Sequence, residues 1–170
     1  TVIIVGGGPF ADQVRYWDER IQLSEELAHW MCVTAMGLAA MLLHRQLPGT
    51  RLVDQWQDLR EQVLATETEG VFIFSVESFL RSIEPQLPGC SLPHSWAVTS
   101  DSIAARVTEV LSAEELVLCK SISMPVGNNW KQSASEGYVD QHFPTVAARI
   151  PAIRWVNLRS IVPAEKTSLI

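Results

Sequence analysis

Short, continuously apolar runs alternate along this chain with longer stretches whose apolar residues recur at helical spacing. Val2-Ile3-Ile4-Val5 is unbroken and β-branched, the pattern of a strand buried on both faces of a parallel sheet. Gly6-Gly7-Gly8 ends it, and a helical pattern follows from about Phe10 to Trp17. Ser24 has the chemistry of an N-cap for a helix that runs to about Gln46, with Gly49 past its end. Leu27, Trp30, Met31, Thr34, Leu38, Met41 and Leu42 fall on one side of that helix, which predicts a long and mostly buried element. Arg51 to Val53 predicts a short strand, and a helix follows from about Asp54 to Leu64. Val71 to Phe74 is a second fully apolar strand, followed by a short helix from Glu77 to Ile83 and a loop broken by Pro85, Pro88, Gly89 and Pro93. Thr99-Ser100-Asp101 opens a helix with Ile103, Ala104, Val107 and Leu111 on its apolar face. Leu116 to Leu118 is a third strand, Met124 to Gly137 a polar loop, Phe143 to Ile150 a helix, and Ile153 to Leu158 a last strand. Strands that alternate with helices predict an α/β fold, a mostly parallel central sheet covered by helices on both faces.

Composition agrees with this pattern. Of 170 residues, 47% are hydrophobic and 19% charged, enough to bury a core in one domain spanning 1–170. No apolar run is read as reaching the roughly 20 residues of a membrane span, and the stretch from Leu38 to Leu43 reads as a core helix. A formal net charge of -6, with no clustered basic face, gives no nucleic-acid footprint. Cys32, Cys90 and Cys119 are odd in number and lack CxxC spacing, the usage of inert buried thiols in a reducing, cytoplasmic compartment.

Four constellations carry candidate chemistry. Gly6-Gly7-Gly8 between a strand and a helix exposes backbone N–H groups at a helix N-terminus, where the dipole favours an anion. A tight turn with no ligand has the same sequence. It is neither a P-loop, since no GK[ST] follows, nor GxGxxG. Asp101 at a helix start ordinarily caps its own helix, but it can also orient cations around a transferring phosphoryl group. Lys120 ends a strand, on the edge where open α/β sheets bind ligands, in a chain whose only other lysines are Lys131 and Lys166. His29 lies on a largely apolar helix, as a core or interface histidine does. With His44, His94 and His142 it forms no metal-ligand spacing, so no metal-binding residues are assigned.

In this order and at these separations, the segments resemble the amino acid kinase family, which includes acetylglutamate, aspartate and uridylate kinases. The correspondence runs through Gly6-Gly7-Gly8, Thr99-Ser100-Asp101-Ser102-Ile103-Ala104, and Leu116 to Ser121. Gly6 to Arg15, Ala28-His29-Trp30-Met31 with Met36, Leu92-Pro93-His94-Ser95-Trp96 and Gly137-Tyr138-Val139-Asp140 resemble the branch with the methanofuran-biosynthesis kinase of an aminomethylfuran-methyl phosphate. The resemblance implies a three-layer α/β/α sandwich, ATP and Mg²⁺ as cofactors, and a small-molecule phosphoryl acceptor as partner. It implies Asp101 and Lys120 as catalytic groups. Gly6, Gly7, Gly8, Arg15, His29 and His94 would contact the acceptor, and Ser100, Lys120, Ser121 and Lys131 the nucleotide. The family's Lys-x-Gly-Gly-Ser first-strand segment has no counterpart, and its usual Thr-Asp pair is replaced by Lys120-Ser121. Thr1 falls directly inside a strand-like run, so a first strand and helix are expected to precede it.

The sequence thus leads to an ATP-dependent small-molecule kinase acting on a phosphate or carboxylate acceptor. The alternative is a non-catalytic anion- or nucleotide-binding protein on the same fold, since a fold does not fix a function. The long helix with Trp30, Met31 and Met41 serves either core burial or a homo-oligomer interface.

Overall fold

Among the described residues the apolar runs form five short strands, paired in parallel within two ladders. The computed structural model describes residues 1–65 and 70–161. Strand β1 (Val2–Ile3) and strand β2 (Thr50–Val53) flank strand β3 (Val71–Phe74), with Val2 beside Phe72 and Arg51 beside Phe72 on the other side. Strand β4 (Leu116–Lys120) pairs in parallel with strand β5 (Ile153–Asn157), which sets Lys120 opposite Asn157. The parallel arrangement follows the prediction, but the ladders divide the strands into groups of three and two. Only β3 has the burial expected of a strand covered on both faces. β1 is an edge strand and half-buried, which corrects its reading as a core strand.

The helices are α1 (Gly8–Ile21), α2 (Glu25–Gln46), α3 (Trp56–Leu64), α4 (Ser100–Val110), α5 (Trp130–Ser135), α6 (Phe143–Ala147) and α7 (Leu158–Ile161). A π turn at Phe79–Ile83 leads into a 3₁₀ turn at Glu84–Gln86. α1 packs on α2, α2 on β2 and β3, α3 on β2, α4 on β4 and α6, and α5 on α6. The core runs through Trp56, Leu59, Phe72, Phe74, Phe79 and Phe143. Its aromatic rings meet at tilted and edge-on angles.

α2 begins where the sequence puts it: the Ser24 hydroxyl accepts the Leu27 N–H at 3.3 Å. Its inward face is not the predicted one. Ala28, His29, Val33, Ala35, Met36 and Ala40 are buried, whereas Leu27, Met31, Leu38, Met41 and Leu42 are exposed. Three of the six inward residues are alanines, whose small side chains let neighbouring elements approach the helix axis, and the bulky stripe is left outside. α2 also corrects the reading that no segment is long and apolar enough to cross a bilayer. It has 22 residues, and its most apolar 18-residue window has a mean hydropathy of 1.5 with a third of that window buried, values that a core helix also reaches. The predicted loop over 124–137 contains α5, which begins with a capping box in which Asn129 and Gln132 satisfy each other's backbone N–H groups. The thiols are less uniform than expected, with Cys32 and Cys90 half-buried and Cys119 exposed.

One buried polar network ties the breaker-rich loop to α4. The Arg106 guanidinium, 1% exposed, donates to Glu84 at 3.3 Å, to Glu109 at 2.7 Å and to the Pro88 carbonyl at 3.0 Å. Arg149 donates to the other Glu109 oxygen at 3.1 Å, and Glu84 accepts the Leu92 N–H at 3.2 Å. Burial pushes the Glu109 carboxyl up, but the two arginines outweigh it and hold it below its ordinary value. Gly89 is required here: its φ is +112°, and a Cβ would lie 2.7 Å from the Arg149 Nη1. The loop fastened in this way carries His94, Ser95 and Trp96 to the ligand edge of the fold.

Candidate active site

The glycine turn brings two helix N-termini together. Gly8 has φ +51°, in the left-handed region. A Cβ on Gly7 would lie 2.6 Å from the Ala11 Cβ, and one on Gly6 would lie 3.1 Å from the Ser100 Oγ. Only bare backbone lets the start of α1 approach the start of α4 this closely. The first-turn N–H groups of a helix have no intrahelical acceptor, so an anion placed here meets donors from both helices.

The start of α4 is held from outside the helix. The Asp140 carboxylate accepts the Thr99 N–H at 2.9 Å, the Thr99 hydroxyl at 3.1 Å, the Ser102 N–H at 2.9 Å, the Phe143 N–H at 2.8 Å and the Ser102 hydroxyl. This relieves Asp101 of the capping role the sequence suggested for it. Its carboxylate instead accepts the Lys120 ammonium at 2.7 Å, joining the start of α4 to the end of β4. Burial pushes the Asp101 carboxyl above its ordinary value. The charge and hydrogen bond of Lys120 oppose that rise without cancelling it, and the Asp140 charge adds to it. Lys120 also lies 5.7 Å from the centroid of the Trp155 ring.

Two cavities meet at this edge. The first has a volume of 170 Å³ and is lined by the glycine turn, Asp12, Arg15, His29, Cys32 and Trp96 among others. The second has a volume of 650 Å³ and is lined by Asp101, Lys120, Tyr138 and Gln141 among others. Arg15, Ser95, Trp96, Thr99 and Ser100 belong to both, so they form the partition. The Arg15 guanidinium pairs with Asp12 at 2.7 Å and lies 5.6 Å from the Trp96 ring centroid. The Trp96 indole N–H donates to Asp18 at 2.9 Å.

The structure therefore gathers Gly6, Gly7, Gly8, Arg15, His29, Ser100, Asp101 and Lys120 around two adjoining cavities. His94 lines neither. It stacks on His29 with ring centroids 5.2 Å apart. Ser121 and Lys131 are exposed and line neither cavity. Asp140 and Trp96 entered the sequence reading only as parts of resemblance motifs, because their partners Thr99 and Asp18 are 41 and 78 residues away. Among the described residues no group of three or more His, Cys, Asp or Glu is placed to hold a metal ion.

No family model matches the chain. Over 121 residues it is 28% identical to a [5-(aminomethyl)furan-3-yl]methyl phosphate kinase of Methanocaldococcus jannaschii. That stretch is 71% of this chain and 51% of the relative, so the chain spans about half the length of the curated relative it matches. A uridylate kinase from Archaeoglobus fulgidus superposes with a TM-score of 0.59 and 16% identity, over 94% of this chain and 77% of that one. The fold is the amino-acid-kinase fold. The resemblance read from the ordered motifs is supported by both comparisons, one in sequence and one in architecture.

Proposed function

We propose that the two cavities are the acceptor and nucleotide sides of a small-molecule kinase that uses ATP and Mg²⁺. The observation that carries this reading is the Asp101–Lys120 pair, at 2.7 Å on the wall of the larger cavity and one partition away from the glycine turn. Phosphoryl transfer needs alignment and neutralisation of spread negative charge more than covalent help. Bound together with Mg²⁺, ATP would supply the transferable phosphoryl group. Lys120, held by Asp101, presents a fixed cation to that charge. The larger cavity lies within the roughly 300–1,000 Å³ common for small-molecule sites. The smaller one suits a compact acceptor, with its anionic group at the N–H groups of the glycine turn and Arg15 close by.

The sequence likeness to a phosphate kinase supports a phosphate-bearing acceptor for this chain, and an aminomethylfuran-type phosphate is the first compound to try. The test is thermal unfolding of the full-length protein with ATP, ADP and phosphorylated furans. Binding to the native state alone raises stability by about 2.7 kcal/mol at a hundred times the dissociation constant. A rise with a nucleotide and a separate rise with a phosphorylated acceptor are expected. No rise with any nucleotide overturns the kinase reading and leaves an anion-binding module.

A further inference from the structure

The outer face of α2 carries an apolar stripe that is open to solvent among the described residues. Leu27, Met31, Leu38, Met41 and Leu42 are 37% to 59% exposed, while the helix packs on α1, β2 and β3 through its other side. With Thr34 and Arg45, also exposed, they recur in steps of three and four residues. That is the 3.5-residue period that keeps one seam turned toward a neighbouring helix, here for about 27 Å. At roughly half exposure each, the five side chains present on the order of 500 Å² of apolar surface, near the top of what a monomer leaves uncovered. A stable interface takes about 800 Å² from each partner, an area that the stripe and its polar flanks can supply.

The stripe fits a second copy of itself. Its spacing is unchanged on reversal at the level of Met36, which exchanges Leu27 with Arg45, Met31 with Met41, and Thr34 with Leu38. An antiparallel copy related by a two-fold axis at that level sets Met31 against the partner's Met41 and Thr34 against the partner's Leu38. A small residue then meets a large one beside the axis. The Thr34 hydroxyl donates to the Trp30 carbonyl of its own helix at 3.1 Å, so it enters a dry seam with its hydrogen bond already made. Leu27 is covered by the aliphatic stem of the partner's Arg45. Charge obeys the same symmetry. Glu25 and Glu26 open the helix and His44 and Arg45 close it, so each acidic end lies beside a basic end, and the two helix dipoles oppose. A lipid surface fits less well. The acidic start of α2 and the net charge of -6 disfavour an anionic bilayer, and an interfacial helix carries Lys and Arg along its polar face.

We propose that α2 is the interface of a two-fold symmetric dimer, in which two copies of the helix pair antiparallel along this stripe. The other side of the same helix lines the smaller cavity with His29 and Cys32, so the pairing braces one wall of that cavity from outside.

The experiment uses the full-length protein without ligand. In sedimentation velocity at micromolar concentration the wild type is expected to run as a dimer. The double variant Leu38→Glu, Met41→Glu is expected to run as a monomer, its dimer Kd raised more than about a hundredfold by unpaired charge in an apolar seam. Leu64→Glu, at an exposed apolar residue of α3 outside the stripe, is expected to leave the dimer intact. Crosslinking with a short bismaleimide reads the register and stands even if the double variant does not fold. Met31→Cys and Met41→Cys are made separately in a Cys119→Ser background, which removes the exposed native thiol. Antiparallel pairing puts residue 31 level with 41 of the other copy and offsets each from its own counterpart by about 15 Å along the axis. A mixture of the two variants is therefore expected to crosslink, and neither variant alone.

A monomeric wild type overturns the proposal. Cosedimentation of that monomer with phosphatidylglycerol vesicles assigns the stripe to a lipid surface, and no cosedimentation assigns its cover to another part of the full-length chain. A dimer that survives the double glutamate variant, crosslinking of either cysteine variant alone, or a mixture that does not crosslink overturns it as well. Nucleotide binding is measured separately, so the dimer and the kinase reading stand or fall independently.

Discussion

Replacing Asp140 with Asn changes one atom and tests whether the start of α4 is held as described. Asp140 is 8% exposed, and its carboxylate receives five hydrogen bonds, three on one oxygen and two on the other. An amide can accept on one side only. Its better orientation keeps the three bonds from Thr99 and Ser102 and turns the NH₂ toward the Phe143 N–H and the Ser102 hydroxyl. The hydroxyl can rotate and accept, but the Phe143 N–H, 2.8 Å away, then faces another donor. Leaving one buried donor unsatisfied costs about 1–3 kcal/mol, and the surviving bonds lose their charge assistance. A destabilisation of about 3 kcal/mol is expected for Asp140→Asn, and about 4–5 kcal/mol for Asp140→Ala, which removes all five acceptor contacts. Urea denaturation of the full-length protein measures both. If Asp140→Asn costs less than about 0.5 kcal/mol, the ordinary range for a surface change, the carboxylate is not the cap of α4 and the reasoning fails.

The other predictions rest on separate features. Arg106→Met leaves Glu84, 2% exposed, with its charge uncompensated, so a loss of about 3–5 kcal/mol is expected by the same denaturation; a loss below 1 kcal/mol contradicts the network. Gly7→Ala places a Cβ 2.6 Å from the Ala11 Cβ and must shift α1, so acceptor binding is expected to fall by more than about tenfold in a titration. Gly8→Ala, with open space around its Cβ, is expected to cost only the roughly 1–2 kcal/mol of a left-handed residue. The Asp101 carboxyl is raised above 3.8, so it binds its proton more tightly in the folded state; the stability this gives is full below 3.8 and is lost as pH rises through the folded value. Lys120→Met removes the opposing cation and is expected to move that loss to higher pH, read from denaturation midpoints across pH; an unchanged or lowered profile contradicts the pairing.

Features written in local sequence were legible. The Ser24 cap, the four apolar residues of β3 and the glycine break after β1 each depend on neighbours within a few positions. The depth at which an element lies depends on its partners, which local sequence does not show. The stripe of Leu27, Met31, Leu38 and Met41 looked like a core face because it is bulky, but Ala28, Ala35 and Ala40 face inward because α1 packs close. The helix α5 carries a capping signal in Asn129 and Gln132, three apart, but the Gly and Asn residues nearby give the segment the pattern of a loop. At the site, the individual residues Asp101, Lys120, Arg15 and His29 stood out by type and by position at element ends. Their pairing did not: Asp101 meets Lys120 across 19 residues and Asp140 holds Thr99 across 41, contacts that only the folded chain defines.

Asp101→Asn in the full-length protein decides whether the Asp101–Lys120 pair aligns a phosphoryl transfer. Asparagine keeps the size of the side chain and removes the charge that fixes Lys120. The measurement is transfer of the ATP γ-phosphoryl group to a phosphate-bearing acceptor, with thermal unfolding run in parallel. A loss of transfer of about a hundredfold or more, with the fold retained, is the predicted result. Transfer at the wild-type rate by a folded Asp101→Asn protein contradicts it.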